Sequence, residues 1–308
     1  MLFRAPESPT ERRTMSLHAA ESEKVVSAAI HEINHIATLP EVTLRIVELV
    51  EDPTATAQDL HRVIANDPAL CSRILKVVNS AFYGLPGQIG SIERAIVLLG
   101  LNAVKNIAIA ASLLKLYRAG DMGPHFKARD LWAHSVAAGA AGKMITDAIR
   151  TGMADEAFLA GLMHDIGVIV ELQYDRDRFA QLIDELSIDE DGVPGRDMME
   201  LETRIFGATH QSFGRALCEK WKFPHSLAVS TGWHHNPLDL PEEGRMLACI
   251  VHIADKLAGD LGVGFRLDQT DLEISDDVLD VLALPREKLQ EIAEALPEMQ
   301  SEVRTLLS

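Results

Sequence analysis

Cysteine, aromatic residues and positive charge are all scarce in this sequence. Its 308 residues include 3 cysteines, and 5% of them are aromatic. Cys71, Cys218 and Cys249 are odd in number and lack Cys-x-x-Cys spacing, so they predict buried thiols in a reducing compartment rather than a disulfide framework. No stretch is apolar for long enough to span a bilayer, and the N-terminus lacks the apolar core of a signal peptide. We therefore expect a cytoplasmic protein that does not bind a membrane.

The low content of basic residues also limits the range of partners. With 29 Lys and Arg against 46 Asp and Glu, the formal net charge is −17. Because nucleic-acid binding relies on Lys and Arg to neutralise phosphates, this balance disfavours a broad nucleic-acid surface. The remaining candidate for a nucleic-acid surface is the group of short helices expected between residues 57 and 100. The cations in and beside that stretch are too sparse to form a continuous basic stripe. These local cations are Arg62, Arg73, Lys76, Arg94 and Lys105.

The hydrophobic content, in contrast, is high and mostly aliphatic. Hydrophobic residues make up 47% of the chain, Ala and Leu dominate, and no long run alternates β-branched with polar residues. This composition predicts an all-α protein, and the length allows two domains or one large one. Residues 1–20 contain prolines and hydroxyl side chains without an apolar period, which predicts a mobile leader. Met15 is an alternative start to Met1.

One short motif indicates a zinc protease but lacks the necessary context. Residues 31–35 read His-Glu-Ile-Asn-His, which matches the His-Glu-x-x-His helix of such enzymes. No convincing third ligand follows, and Pro40 ends the helix almost at once. We interpret His31 and Glu32 as part of a solvated helix face.

The most informative stretch is residues 157–167, an apolar run that ends in His164-Asp165 and then Gly167. The apolar residues before the pair recur at helical spacing and predict the buried face of a helix. Gly167 predicts a helix C-cap or a tight turn. The pair would then be half-buried near a helix end, where an ionisable group needs a partner or a metal. Taken alone, the dipeptide favours a hydrogen-bonded core histidine beside a helix-terminal aspartate.

Further His and Asp residues accompany this pair in a defined order along the chain. Each lies in or beside an apolar, helix-patterned stretch. They are His134 upstream, and His210, His234, His235 and Asp255 downstream. This ordered set resembles the HD superfamily, whose members hold one or two metals with such residues in an all-helical fold. The likeness covers about residues 128–260.

A second set of motifs resembles the HDOD domain, a family related to the HD superfamily and found in bacterial signalling and regulatory proteins. The motifs are Leu39-Pro40, Asp67-Pro68, residues 79–84 (Asn-Ser-Ala-Phe-Tyr-Gly), Ser91-Ile92, Ala95-Ile96, Leu98-Leu99-Gly100, Trp221-x-x-Pro224 and His234-His235. The resemblance implies an all-α HDOD domain over residues 21–260, with an N-terminal helical lobe at about 25–120 and an HD-like lobe at about 128–260. Residues 261–308 would be a helical C-terminal appendage. We interpret residues 79–84 as a helix end and turn rather than a ligand contact.

The same resemblance implies a metal site and divides its ligands between two ions. The first ion would be held by His134, His164, Asp165 and Asp255. The second would be held beside Asp165 by His210 and His234, with His235 as a further candidate. Nitrogen and carboxylate donors suit a divalent ion such as iron, manganese or zinc. The remaining histidines singled out, interpreted as structural, are His18, His61, His125 and His252.

Two departures from related phosphodiesterases disfavour activity on cyclic-di-GMP. Val168 follows the His-Asp-Ile-Gly segment, at a position where these enzymes often have a lysine that contacts phosphate. Residues 236–239 read Asn-Pro-Leu-Asp instead of a Gly-Tyr-Pro segment. The ligands are therefore present, while residues that would bind a phosphate are not evident.

These features predict a bacterial signalling or regulatory protein that binds one or two divalent metal ions and acts through a partner protein or a small phosphorylated ligand. The alternative is a metal-dependent phosphohydrolase that acts on a nucleotide or phosphoester, since two neighbouring ions can activate water and neutralise a phosphoryl oxygen. In that case Asp165 would act with His235 or Lys256, which would contact phosphate or carry a proton. The sequence leaves turnover, the identity of the metal and partner, and the oligomeric state open.

Overall fold

The computed structural model describes residues 9–32, 41–52, 54–80, 83–117, 121–123, 125–190, 192–262 and 264–306. Within these ranges the regular structure is helical, without a β-strand, and an isolated bridge joins Met122 and Phe126. The prediction of an all-α protein is confirmed. In the described part of the chain, no helix is both long and apolar enough to cross a bilayer.

The N-terminal half of the chain is built from short helices whose ends are set by capping residues. The helices are α1 (Pro9–Glu32), α2 (Glu41–Glu51), α3 (Ala57–Ala65), α4 (Pro68–Val78), α5 (Ile92–Leu99) and α6 (Leu101–Leu113), which continues into a 3₁₀ turn (Leu114–Tyr117). The Asp67 carboxylate accepts a hydrogen bond from the Leu70 N–H (2.9 Å), and Pro68 occupies the first turn of α4. Ser91 caps α5 in the same way, by accepting from the Arg94 N–H (3.2 Å).

Asn79, the first residue of the 79–84 segment, has the structural role expected of it at a helix end. Its side-chain amide donates hydrogen bonds to the carbonyl oxygens of Leu75 (2.7 Å) and Ile89 (2.8 Å). Its side-chain oxygen accepts one from the Ile89 N–H (2.6 Å). This side chain therefore fastens the end of α4 to the segment before α5. Residues 81–82 lie outside the described part of the chain.

In the C-terminal half of the chain, several helices pack against α7. The helices are α7 (Ala128–Ile149), α8 (Ala154–Met163), α9 (Ile166–Tyr174), α10 (Arg176–Glu185), α11 (Met198–Ile205), α12 (His210–Lys220), α13 (His225–Trp233), α14 (Glu242–Asp260), α15 (Asp276–Leu282) and α16 (Arg286–Leu306), with a 3₁₀ turn at Pro237–Asp239. Helix α7 contacts α8, α14 and α16, while α12 packs between α9 and α13. Helix α6 contacts α8, so one hydrophobic core runs through both halves.

The domain boundaries predicted near residues 20 and 261 do not coincide with breaks in the structure. Residue 20 lies inside helix α1, and the segment after residue 261 is packed on the core. Residues 9–20 of the expected leader are helical in α1, and residues 1–8 lie outside the described part of the chain. At the other boundary, Phe265 and Leu267 belong to the same hydrophobic core as the helices before them. Helix α16 packs against both α7 and α4. The segment after residue 261 therefore extends the core of the domain.

His31 and Glu32, from the protease-like motif, are exposed at the end of α1. This agrees with their interpretation as part of a solvated face. The rest of that motif, residues 33–35, lies outside the described part of the chain.

Two glycines allow helices to approach closely on either side of the His-Asp pair. A Cβ atom on Gly161 in α8 would lie 2.6 Å from the Ala138 carbonyl oxygen of α7. A Cβ atom on Gly167 in α9 would lie 1.8 Å from the His210 carbonyl oxygen, at the start of α12. Both distances are far shorter than a van der Waals contact, so these packed helices require glycine at both positions.

The prediction that Gly167 ends a helix is wrong. Helix α8 ends at Met163 and α9 begins at Ile166, so the turn falls on His164 and Asp165 themselves. Gly167 lies in the first turn of α9. Its role is close packing against α12, a long-range contact that local sequence does not reveal.

We expect Gly167→Ala to lower the free energy of unfolding by about 1–3 kcal/mol or more, because the added methyl group overlaps a main-chain atom that cannot rotate away. Urea denaturation of the metal-free protein would measure this change. Gly244→Ala in α14 is the matched control, since the nearest atom to its Cβ would be 3.6 Å away. The control should be neutral or stabilising by roughly 0.5–1 kcal/mol. Equal effects of the two substitutions would contradict the close contact between α9 and α12.

Candidate metal centre

The structure brings every predicted metal ligand into one buried cluster. Most of the ligands occupy helix ends, where the chain turns and side chains from different helices converge. They are His134 within α7, His164 at the end of α8, Asp165 before α9, His210 at the start of α12, His234 and His235 at the end of α13, and Asp255 within α14. The side chain of His235 is 11% exposed, and the others are at most 2% exposed.

The ligand atoms form two groups that share Asp165. Within each group the atoms lie within 4.8 Å of one another. The first group is His134, His164, Asp165 and Asp255. The second group is Asp165, His210, His234, His235 and Asp268. Asp268 was not predicted, and the division of the other ligands matches the one implied by resemblance.

Asp165 presents one carboxylate oxygen to each group. Its Oδ2 lies 3.2 Å from the Nε2 of His164 and 3.7 Å from the Nε2 of His134. Its Oδ1 lies 3.4 Å from the Nε2 of His234 and 3.8 Å from the Nε2 of His210. This is the arrangement that a carboxylate needs in order to bridge two neighbouring ions.

Two of the rings are oriented by carbonyl oxygens of their own helices. The Nδ1 of His164 lies 2.6 Å from the Gly161 carbonyl oxygen, and the Nδ1 of His234 lies 2.8 Å from the Thr231 carbonyl oxygen. Because a carbonyl oxygen can only accept, each of these rings carries a proton on Nδ1. When either ring is neutral, its Nε2 therefore presents a lone pair to the cluster.

His210 is oriented by a buried carboxylate instead. Its Nδ1 donates to Glu202 Oε1 (2.8 Å), and its main-chain N–H donates to Glu202 Oε2 (3.0 Å). A carboxylate on the far nitrogen is the usual partner of an imidazole that binds a metal. Glu171 is also fully buried, and burial together with the charge of Glu202 raises its pKa well above the usual value.

The inward-facing nitrogens point at groups that also carry lone pairs. The Nε2 of His164 lies 3.2 Å from Asp255 Oδ1, and the Nε2 of His210 lies 3.4 Å from the Nε2 of His234. Neither oxygen of Asp165 has a hydrogen-bond partner among the residues that the structure describes. Lone pairs at these distances repel one another unless a cation lies between them, so the donor set fits either protons or metal ions.

When metal is absent, protons on the histidine rings supply the positive charge between these lone pairs. Burial opposes a charge on His164, but the negative charges of Asp165 and Asp255 outweigh burial and raise the pKa of His164 well above its usual value. Burial is likewise outweighed at His210, where Glu202 raises the pKa to about 9. In contrast, burial and the charge of His235 lower the pKa of His234 to about 3. The metal-free cluster is therefore protonated at two of these rings and neutral at the third near pH 7.

Side chains behind the ligands were not predicted, and their sequence signal is weak. Glu202 follows Glu200 in a run of alternating Glu and apolar residues, and nothing in that run distinguishes the two. With its amide oxygen facing them, Gln211 accepts hydrogen bonds from the main-chain N–H groups of His234 and His235 (both 3.2 Å). These contacts join parts of the chain whose proximity only the fold determines.

The segment between α14 and α15, residues 264–275, also reaches the cluster. We call it the closing segment. Its Asp268 Oδ2 lies 3.3 Å from the Nε2 of His235. Its Gln269 amide donates to the main-chain carbonyl oxygen of Asp255 (3.1 Å) and to the Asp255 carboxylate. Both residues lie in a polar stretch that gave no sign of a ligand.

Lys256 does not belong to the cluster, although it follows Asp255 directly. Its ammonium donates to the Asp271 carbonyl oxygen (2.8 Å). His252, predicted to be structural, bonds through Nδ1 to the His234 carbonyl oxygen (2.7 Å). Lys256 and His252 therefore both stabilise the main chain around the cluster.

Glu202→Ala should lower the free energy of unfolding of the metal-free protein by about 3–5 kcal/mol, because it leaves the protonated His210 buried without its partner. Chemical denaturation at neutral pH would measure the loss. Glu200→Ala, an exposed position on the same helix, is the matched control and should change stability by less than about 0.5 kcal/mol. A loss at Glu202 no larger than the control would mean that the Glu202–His210 pair does not stabilise the fold.

Comparison with known proteins agrees with this architecture. The structure is similar to that of an HDOD domain protein of unknown function from Geobacter sulfurreducens, with a TM-score of 0.76 and 22% identity over 94% of this chain and 99% of that chain. It is also similar to a protein from Shewanella amazonensis SB2B that is provisionally named a phosphohydrolase, with a TM-score of 0.69 and 21% identity over 92% of this chain and 98% of that chain. At this identity the likeness establishes the fold alone.

Sequence comparison finds a relative that is longer than this chain. An uncharacterized protein of Treponema pallidum (strain Nichols) is 25% identical over 237 residues. The match covers 76% of this chain and 44% of that protein, so the chain spans less than half the length of this relative. The HDOD domain model matches residues 36–237, which is more than half of the chain and includes the ligands from His134 to His235. Together with the helical architecture, this match shows that the chain belongs to the HDOD domain family.

Proposed function

We propose that this protein is a regulatory HDOD protein that holds one or two divalent metal ions in its buried His/Asp cluster and acts through a partner protein or a small phosphorylated ligand. The observation that carries the proposal is the fully buried carboxylate of Asp165. Within the described part of the chain both of its oxygens lack hydrogen-bond partners, and imidazole nitrogens surround it on both sides. A buried carboxylate without hydrogen bonds is costly unless a cation is bound to it.

The donor set limits which ions would fit. Each group offers imidazole nitrogen and carboxylate oxygen, without a thiolate. Cys218 and Cys249, which are buried, belong to neither group. Mixed nitrogen and oxygen donors favour iron, manganese or zinc over calcium or magnesium, which prefer oxygen ligands.

A regulatory role is favoured over turnover because neither Val168 nor Lys256, the two positions at which a phosphate contact was considered, is placed to bind a phosphate. Val168 is fully buried, so its position does not offer a phosphate contact. The Lys256 ammonium is bonded to the main chain at Asp271. The cluster itself is covered, since only His235 among the predicted ligands has an appreciably exposed side chain. Ligands alone do not position a substrate for reaction.

The alternative, a metal-dependent phosphohydrolase, is supported by the central position of Asp165 between the two groups. A pair of ions there would supply a Lewis acid and lower the pKa of water, which is the chemistry of two-metal phosphoester hydrolysis. In that case this chain's Asp165 would hold both ions, and His235, the most exposed ligand, would be the residue nearest to an entering phosphate. The provisional name of the Shewanella amazonensis neighbour points the same way, although its 21% identity does not transfer an activity.

Purified without chelator or histidine tag, the wild-type protein should contain up to two equivalents of iron, manganese or zinc, one for each group of ligands. Asp165→Asn, which keeps the shape of the side chain, should lose most of this metal because it weakens both groups at once. Elemental analysis by mass spectrometry would measure the content.

Asp184→Asn, at an exposed position on α10, is the matched control and should keep the full metal content. If wild type is metal-free and cannot be loaded with manganese, iron or zinc, the proposed metal centre is wrong. The two candidate functions are then separated by turnover of a generic phosphodiester such as bis(p-nitrophenyl) phosphate. Turnover that depends on metal and is lost in Asp165→Asn would favour the hydrolase, and loaded protein without turnover would favour the regulatory role.

Metal binding should release protons, because His210 has a pKa of about 9 in the metal-free cluster and is protonated below that pH. The raised pKa of His164 has the same consequence. A metal ion must displace these protons, so its apparent affinity should rise with pH until about pH 9, by about tenfold per pH unit for each proton displaced. Titration of metal-free protein with manganese in weakly buffered indicator solution would count the protons. Affinity that is constant between about pH 6 and pH 8 would contradict this account of the cluster.

A further inference from the structure

The closing segment, residues 264–275, touches ligands of both groups. The Phe265 ring packs edge-on against the ring of His134, with centroids 6.1 Å apart. Asp268 contacts His235 in the second group, and Gln269 bonds to Asp255 in the first. Three contacts within five residues of sequence therefore place this segment directly on the cluster.

The segment is held in this position by the helices that carry the ligands. The Phe265 N–H donates to the Asp130 carbonyl oxygen of α7 (3.1 Å), one turn before His134. A Cβ atom on Gly264 would lie 2.5 Å from the same oxygen. At the other end, Lys256 of α14 donates to the Asp271 carbonyl oxygen (2.8 Å). The segment thus spans from α7 to α14 across the ligands.

The hydrogen bonds of the described residues do not account for the position of Asp268. Its side chain is fully buried, and neither of its carboxylate oxygens has a hydrogen-bond partner among those residues. Its one ion-pair partner in the described part of the chain is His235, at 3.3 Å. A buried carboxylate in such surroundings is unfavourable unless a cation binds to it.

We propose that Asp268 is a metal ligand supplied by the closing segment, so that metal binding fastens this segment over the cluster. The inference rests on the proposed function, because it assumes that the second group holds an ion. With Asp268 included, that ion is held by donors from α12, from the end of α13 and from the closing segment. The closing segment then lies directly against ligands of both groups.

This arrangement gives metal occupancy a structural consequence beyond the centre. Helices α15 and α16 follow the closing segment, and α16 packs against both α7 and α4. Loss of the ion removes one of the attachments that hold the segment in place. Metal binding is thereby coupled to how firmly the C-terminal helices are held. A signal passed on in this way needs no turnover of a substrate.

The test uses the full chain and Co²⁺ alone as the probe. Wild type, Asp268→Asn, Asp165→Asn and the control Asp271→Asn are titrated with Co²⁺, and both the affinity and the visible d–d spectrum are recorded. Asp271 is the matched control because it lies in the same segment, is exposed, and bonds through its carboxylate only to the Glu273 N–H (2.8 Å). Asp268→Asn should weaken one Co²⁺ site by at least about tenfold and change its spectrum, and Asp271→Asn should do neither.

Hydrogen–deuterium exchange of wild type provides a second measurement that does not depend on a variant folding. Residues 264–275 should exchange more slowly with Co²⁺ bound than without it, and Asp268→Asn should lose this difference. Unchanged affinity and spectrum in Asp268→Asn, or exchange in wild type that does not respond to Co²⁺, overturns the inference. If the proposed function itself is wrong, the result is different: wild type binds no Co²⁺, and Asp165→Asn shows no loss of Co²⁺ binding relative to it.

Discussion

The architecture of this protein is arranged around one unfavourable group, the buried carboxylate of Asp165. Its two oxygens face different sets of imidazole nitrogens and have no hydrogen-bond partners in the ranges that the structure describes. Such a group is compatible with a folded protein only if positive charge lies close to it. In the metal-free state this charge comes from protons on His164 and His210, whose pKa values are raised by neighbouring carboxylates. In the proposed functional state it comes from metal ions.

The fold positions this carboxylate through helix ends and close helix packing. The turn between α8 and α9 carries His164 and Asp165, while the start of α12 and the end of α13 supply the opposing histidines. Gly161 and Gly167, on either side of the turn, remove the Cβ atoms that would hold α7 and α12 away. Carbonyl oxygens at the helix ends then set the tautomers of two rings. The geometry of the site therefore follows from where the helices stop.

The ligands could be predicted from sequence because His and Asp recurred in apolar helical stretches, in an order that resembles a known superfamily. The all-α class followed from composition. Glu202, Asp268 and Gln269 could not be predicted, because nothing in the sequence around them distinguishes them from other polar residues, and only the fold brings them to the cluster. Gly167 was misinterpreted for a related reason: a glycine after a helix indicates a C-cap locally, whereas its contact with His210 is a tertiary one. Lys256, named as a possible phosphate or proton contact, follows Asp255 directly, but the next residue on a helix faces a different direction, and its ammonium donates to the Asp271 carbonyl oxygen instead.

The most direct test of the account is the position of bound metal. Crystals of protein loaded with manganese, measured near the manganese absorption edge, should show anomalous peaks on both sides of Asp165, one in contact with His134, His164 and Asp255 and the other with His210, His234 and His235. Peaks found only at surface carboxylates, with water or a proton bridging Asp165 to its histidines, would contradict the account and would leave the cluster as a hydrogen-bonded core.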